Sequence, residues 1–168
     1  MKKFNRRAYH SLEDLWRDVR FPLKNREQVR RAMQGDLVSF PLRERLMLAV
    51  TAVNGCRYCS YYHAQEALKA GLPDEELQKM LEGVIDDAPS EELPALLYAQ
   101  HWAESEGRPD PAAHQKLVDT YGPERAEAIE TVLTMIRMGN LLGNTGDYWL
   151  YRLSFGRWGL TDRDRVKR

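Results

Sequence analysis

Two cysteines and a histidine lie close together in the chain, at spacings that suit thiol chemistry. Cys56 and Cys59 are three residues apart, and His63 follows the second cysteine by four residues. Residues at these spacings share one face of an α-helix, so the sulfurs can join as a disulfide and the imidazole can act as a base toward Cys59. A helix N-terminus also carries partial positive charge that stabilises a thiolate, which favours Cys56 as the more acidic thiol.

A carboxylate before the first cysteine is expected to reach this histidine. Asn54-Gly55 is a strong turn signal between two helical patterns, so we expect the chain to fold back there as a helical hairpin. Glu44 and His63 would then lie about 15 and about 12 Å from the turn along their helices. Because these depths agree to within one helical turn, the Glu44 carboxylate can hold one imidazole nitrogen while the other faces the cysteines.

Other interpretations of these residues compete with thiol redox chemistry. Covalent haem attachment requires a histidine directly after the second cysteine, where this chain has Ser60. Structural zinc normally takes four ligands, and the stretch offers three, so we expect no metal and no organic cofactor. The cysteines could also be inert small apolar residues, His63 a structurally bonded side chain, and Glu44 a partner of its helix dipole.

The surrounding sequence predicts helices that position this stretch, and no alternating strand pattern appears. Residues 46–53 are apolar almost all round, as in a helix buried at the centre of a domain or in an interface. The cysteines would open a second helix that ends before Gly71. The predicted fold is all-α: a single domain over residues 1–168, with about eight helices around the hairpin that carries the CxxC motif.

Predictions for the two ends of the chain are more specific. Residues 1–8 are expected to fray, and Pro22 to end a first helix that starts after Ser11. Glycines are expected to stop or kink the last long helix, which begins at Pro123; they are Gly139, Gly143 and Gly146. The aromatic-rich segment 147–158 would form a terminal helix over the core, with a pocket wall or a subunit interface as alternatives.

Composition narrows the possible partners and the location. The 25 lysines and arginines balance the 25 aspartates and glutamates, so no net charge points to nucleic acid or a membrane surface. No apolar run follows the basic N-terminal residues, which argues against a secretory signal and favours the cytoplasm. In that compartment, cysteines three residues apart are more often redox-active or metal-binding than structural.

The complete pattern, Glu44-x11-Cys56-x2-Cys59-x3-His63, lies between an apolar helix and a Gly-Leu-Pro turn at residues 71–73. Over about residues 36–90, this arrangement resembles the alkylhydroperoxidase D-like branch of the carboxymuconolactone decarboxylase family. The resemblance implies an all-α fold that assembles as a homo-oligomer, often a trimer or a hexamer, with the site near subunit contacts.

The resemblance also implies a role for each of the four side chains. Cys59 would attack a hydroperoxide as the peroxidatic thiolate, and Cys56 would convert the resulting sulfenic acid to a disulfide. A dithiol or protein thiol would then reduce that disulfide. His63 and Glu44 would form the proton relay. The dipole argument alone favours Cys56 as the thiolate, but a base one turn beyond Cys59 can reverse the order.

One position departs from the pattern of the family. Some of its peroxidases carry a second histidine just before the second cysteine, where this chain has Tyr58. Tyrosine is a poor base near neutral pH because its ordinary pKa is about 10. The relay is therefore expected to be shorter or slower, and a substrate other than peroxide stays open. The decarboxylase branch does not depend on a CxxC pair, so the two cysteines argue against it.

Two classes of function follow. The first is a thiol-dependent peroxidase or disulfide oxidoreductase that uses Cys59, Cys56, His63 and Glu44. The alternative is a non-catalytic redox-sensing or zinc-stabilised oligomeric module, in which the aromatic C-terminal segment makes contacts between subunits. A decarboxylase-like enzyme of the same family is a further alternative.

Overall fold

The computed structural model describes residues 3–165, and for residues 163 and 165 the backbone alone. This part of the chain contains helices and no strand, which confirms the all-α prediction. In chain order the helices are α1 (Leu12–Lys24), α2 (Arg26–Met33), α3 (Phe40–Asn54), α4 (Arg57–Lys69), α5 (Asp74–Leu81), α6 (Leu93–Glu104), α7 (Pro111–Tyr121), α8 (Pro123–Leu153) and the short α9 (Asp162–Arg165).

Helix α3 lies at the centre, and α4, α6 and α8 pack around it. The Ser39 hydroxyl caps its first turn by accepting the Leu42 N–H at 3.3 Å. Leu42 and Leu46 are fully buried, and each contributes about 2 kcal/mol of hydrophobic stabilisation. The helix is apolar almost all round because neighbours cover nearly all of its surface, as the sequence predicted.

The turn between α3 and α4 forms at the predicted place. Gly55 adopts a left-handed conformation, with a φ of 74°, and its N–H bonds the Thr51 carbonyl at 2.8 Å. Residues with a Cβ atom rarely adopt this conformation, whereas glycine adopts it readily, so Gly55 allows the chain to reverse direction between α3 and α4. Cys56 follows directly as the N-cap of α4. The hairpin therefore places the cysteines at a helix N-terminus.

Helix α8 contradicts the prediction that glycines stop or kink it, because it runs unbroken for 31 residues. Gly143 instead permits close packing: a Cβ atom added there would lie 2.9 Å from Sγ of Cys56. The prediction that residues 147–158 form a separate terminal helix over the core is also wrong. Residues 147–153 continue α8, and much of the aromatic segment points to solvent, since Trp149 and Phe155 are 60% and 96% exposed.

Residues 3–8 contradict the expectation that the N-terminal segment frays, because Arg6 and Ala8 are both buried. Residues 1 and 2, to which the expectation also applied, lie outside the described residues. Buried carboxylates from the distant end of the chain hold Arg6, and a sequence pattern does not show such long-range partners. Pro22 does not end α1, which continues to Lys24. Its last turn is closed by Asn25, whose backbone and side-chain nitrogens both donate to the Phe21 carbonyl at 2.9 Å.

None of the helices in residues 3–165 is both long enough and apolar enough to cross a membrane.

Candidate thiol redox site

The two cysteines form a disulfide at the start of α4, with their Cα atoms 5.4 Å apart. Cys56 is fully buried, whereas Cys59 is partly exposed. The Cys59 backbone N–H donates to Sγ of Cys56 at 3.3 Å. This N–H belongs to the first turn of α4 and has no carbonyl partner within the helix, so the helix N-terminus interacts directly with the Cys56 sulfur. A molecule approaching from solvent therefore meets the Cys59 sulfur first, while the helix terminus acts on the Cys56 sulfur.

Glu44 and His63 are in direct contact across the hairpin, as the estimate of their depths predicted. The His63 Nδ1 atom lies 2.8 Å from Oε2 of Glu44. Glu44 is 2% exposed, and His63 is largely covered. The contact fixes the imidazole ring and leaves Nε2 as the nitrogen that can exchange a proton with a thiol or a water. Since His63 lies one turn after Cys59, the two side chains share a helix face.

Arg43 is a second partner of Glu44 that the sequence analysis did not identify. Its guanidinium approaches Oε1 of Glu44 at 2.9 Å through Nη2 and donates a further bond from Nε at 3.0 Å. Burial by itself raises the pKa of Glu44, but the hydrogen bonds and charges of His63 and Arg43 outweigh burial and hold that pKa below its ordinary value. Glu44 is therefore a carboxylate at neutral pH.

Tyr58 occupies the position where a second histidine was considered, and its hydroxyl group already has two partners. The hydroxyl lies 3.0 Å from Oδ1 of Asp147, to which it donates, and it accepts a bond from Nη2 of Arg57 at 2.7 Å. Arg57 also contacts the same carboxylate oxygen at 2.6 Å. Tyr58 thus anchors the first turn of α4 to α8.

A buried polar network lies behind the disulfide, and the sequence analysis missed it. Asp147 is fully buried, and Arg6 donates to it at 2.7 Å and to Asp164 at 2.9 Å. Asn144 accepts from Arg6 at 3.1 Å and donates to the Asn54 carbonyl at 2.9 Å. A signal was available in the sequence, because Asn140, Asn144 and Asp147 recur at helical spacing and therefore share one face of α8.

Within the residues that the structure describes, no three histidine, cysteine, aspartate or glutamate side chains are arranged so that they could hold a metal ion.

Comparison with known proteins gives one match. The carboxymuconolactone decarboxylase family model matches residues 26–105, which include all four residues of the pattern. No curated protein and no solved structure matches the chain significantly. The match overlaps the resemblance of residues 36–90, so over residues 26–105 the chain is similar to the carboxymuconolactone decarboxylase family.

Proposed function

We propose that the protein is a thiol-dependent oxidoreductase of the alkylhydroperoxidase D-like type, which reduces hydroperoxides at the expense of a dithiol. The observation that carries this proposal is the combination of a Cys56–Cys59 disulfide with a histidine held by a buried carboxylate. Such a pair of sulfurs can cycle between dithiol and disulfide, and a fixed imidazole can move the protons that the cycle requires.

In the reduced protein, the Cys59 thiol transfers its proton to Nε2 of His63. The thiolate attacks the terminal oxygen of a hydroperoxide, the O–O bond breaks, and the leaving alkoxide takes the proton from the imidazolium. This step yields an alcohol and a sulfenic acid on Cys59. The Cys56 thiol then gives its proton to the neutral imidazole, its thiolate attacks the Cys59 sulfur to form the disulfide, and the departing hydroxide takes that proton and leaves as water. Glu44 positions His63 throughout and stabilises the imidazolium that forms.

A dithiol closes the cycle. Its first thiolate attacks a sulfur of the Cys56–Cys59 disulfide, and its second thiolate resolves the mixed disulfide, so both cysteines return to thiols as the dithiol is oxidised. The partly exposed Cys59 sulfur favours attack there, because Cys56 is fully buried. The need for a continuous supply of reducing thiols favours the cytoplasm as the location.

The test is peroxide consumption by the purified protein with dithiothreitol as the dithiol. Wild-type protein is expected to consume a hydroperoxide catalytically, Cys59→Ser to lose this activity, and Cys56→Ser to retain one turnover and then accumulate oxidised Cys59. Thiol titration and intact mass distinguish the disulfide from a sulfinic acid. A disulfide that forms with peroxide but supports no repeated turnover would instead identify a redox-sensing module.

Self-association is also part of the proposal. Large apolar side chains are exposed on the last turns of α8 and just beyond them, among them Trp149, Leu153, Phe155 and Trp158. Exposed apolar patches of this kind on a soluble chain commonly mark interaction surfaces. We expect a homo-oligomer that buries this end of α8, and analytical ultracentrifugation of wild type and Leu153→Glu tests this expectation.

A further inference from the structure

A cavity of about 590 Å³ lies between the N-terminal segment at residues 7–10, helix α1, the loop after α6 and helix α8. None of the four residues of the proposed redox site lines this cavity. Its volume lies within the range of about 300–1,000 Å³ that is usual for small-molecule sites. The proposed peroxide chemistry makes no use of it.

The charged groups that line the cavity are numerous and nearly balanced. Four arginines and three carboxylates contribute to the wall: Arg7, Arg17, Arg108, Arg137, Asp14, Asp18 and Glu106. With these groups ionised, the lining therefore carries one positive charge in excess. A ligand with a single negative charge would complete the balance, whereas a dianion would leave a charge unmatched.

Three of the arginines already have partners. Arg137 lies 2.6 Å from the buried carboxylate of Asp18, and Arg17 lies 2.7 Å from Asp14. Arg7 donates to the backbone carbonyls at the end of α6. Arg108, by contrast, is exposed and forms no ion pair with another described residue. Its guanidinium is the group that can take a carboxylate in a bidentate pair.

The remaining wall of the cavity combines polar side chains, among them His10 and Thr134, with apolar and aromatic ones. The apolar part includes Phe21 from α1, Trp102 from α6 and Leu141 from α8. Gly107 covers the edge of the Trp102 ring, and a Cβ atom there would lie 3.2 Å from Cζ2 of Trp102. An apolar ligand body could contact these three side chains while an acidic group at its end reaches Arg108.

From this arrangement we infer that the cavity binds a small monocarboxylate with an aromatic or apolar body. The carboxylate pairs with Arg108, and the body packs against Trp102, Phe21 and Leu141. The site is separate from the proposed redox site, so this inference stands whether or not the protein reduces peroxides.

The test uses benzoate as the probe and compares it with three other compounds. Benzamide keeps the ring and lacks the charge, acetate keeps the charge and lacks the ring, and inorganic phosphate supplies a different anion. Calorimetric or NMR titration is expected to show benzoate binding at millimolar concentration or below, at least about tenfold tighter than each comparison compound. Benzoate should also shift the indole N–H resonance of Trp102.

A matched pair of variants locates the binding. Arg108→Gln is expected to weaken benzoate binding at least about tenfold. Arg157→Gln makes the same change at an exposed arginine outside the cavity and should leave the affinity unchanged. The inference is overturned by benzoate affinity that equals that of benzamide, by equal affinities in the two variants, or by absence of saturable binding up to about 20 mM.

Discussion

The His63 imidazole and the Glu44 carboxylate meet at 2.8 Å across the α3–α4 turn, although 19 residues separate them in the chain. Glu44 is almost completely buried, yet Arg43 and His63 keep its pKa below the ordinary value. An ionised carboxylate in this position can hold Nδ1–H of the ring and direct Nε2 toward the thiols. This relationship determines how the proposed proton relay can be tested.

Replacing the carboxylate should reduce turnover more than it affects folding. Glu44→Gln keeps the shape of the side chain and removes the charge, so we expect peroxide turnover to fall about 10- to 100-fold. The loss of charged hydrogen bonds should lower the free energy of unfolding by about 1–3 kcal/mol. Stopped-flow peroxide assays and urea unfolding measure the two effects.

Glu66→Gln is the matched control, since Glu66 is on the same hairpin and pairs with Lys69 near the surface at 2.7 Å. It should leave turnover unchanged. The pH profile of the rate should change for Glu44→Gln, because His63 loses its anionic partner. Wild-type kinetics and an unaltered pH profile in this variant would show that Glu44 has a structural role alone.

Acid should destabilise the wild-type protein partly through Glu44. Its folded-state pKa is lower than the ordinary value of 4.5. The stabilisation that the ionised carboxylate gives to the folded state is therefore fully present above about pH 4.5. It is lost as the pH falls through the lower folded-state pKa. We expect the free energy of unfolding to decrease below about pH 4.5 and to decrease less steeply in Glu44→Gln. Urea unfolding at a series of pH values measures both slopes, and equal slopes would contradict this assignment.

The part of the site that the sequence could predict is the part that local spacing determines. The CxxC motif, the turn at Asn54-Gly55 and the depths of Glu44 and His63 follow from helix geometry alone. The contacts of Arg6 with Asp147 and Asp164 join opposite ends of the chain, and no periodicity shows them. The prediction for Gly143 was wrong for the same reason, because the role of this glycine depends on the distant residue Cys56 that packs against it.

The buried ion pair at Arg6 should be important for stability. Asp147→Asn removes the charge that faces Arg6 and Arg57, while Asp164 remains as a partner of Arg6. We therefore expect a loss of about 2–3 kcal/mol, somewhat below the cost of leaving a buried charge wholly unpaired. Chemical unfolding measures it. Asp14→Asn breaks an exposed pair with Arg17 and should change stability by less than about 0.5 kcal/mol. Similar losses in the two variants would show that the network is not a stabilising feature.

The three glycines of α8 give the most direct test of how the helix supports the disulfide. A Cβ atom at Gly143 would lie 2.9 Å from Sγ of Cys56 and 3.4 Å from the Tyr58 ring, whereas one at Gly139 or Gly146 would meet nothing within 4 Å. Gly143→Ala should therefore destabilise the protein by about 1–3 kcal/mol through overpacking. Gly139→Ala and Gly146→Ala should stabilise it by about 0.5–1 kcal/mol, because alanine favours the helix. Thermal unfolding of the oxidised protein separates the two classes, and a stabilising Gly143→Ala would mean that α8 does not pack closely on Cys56.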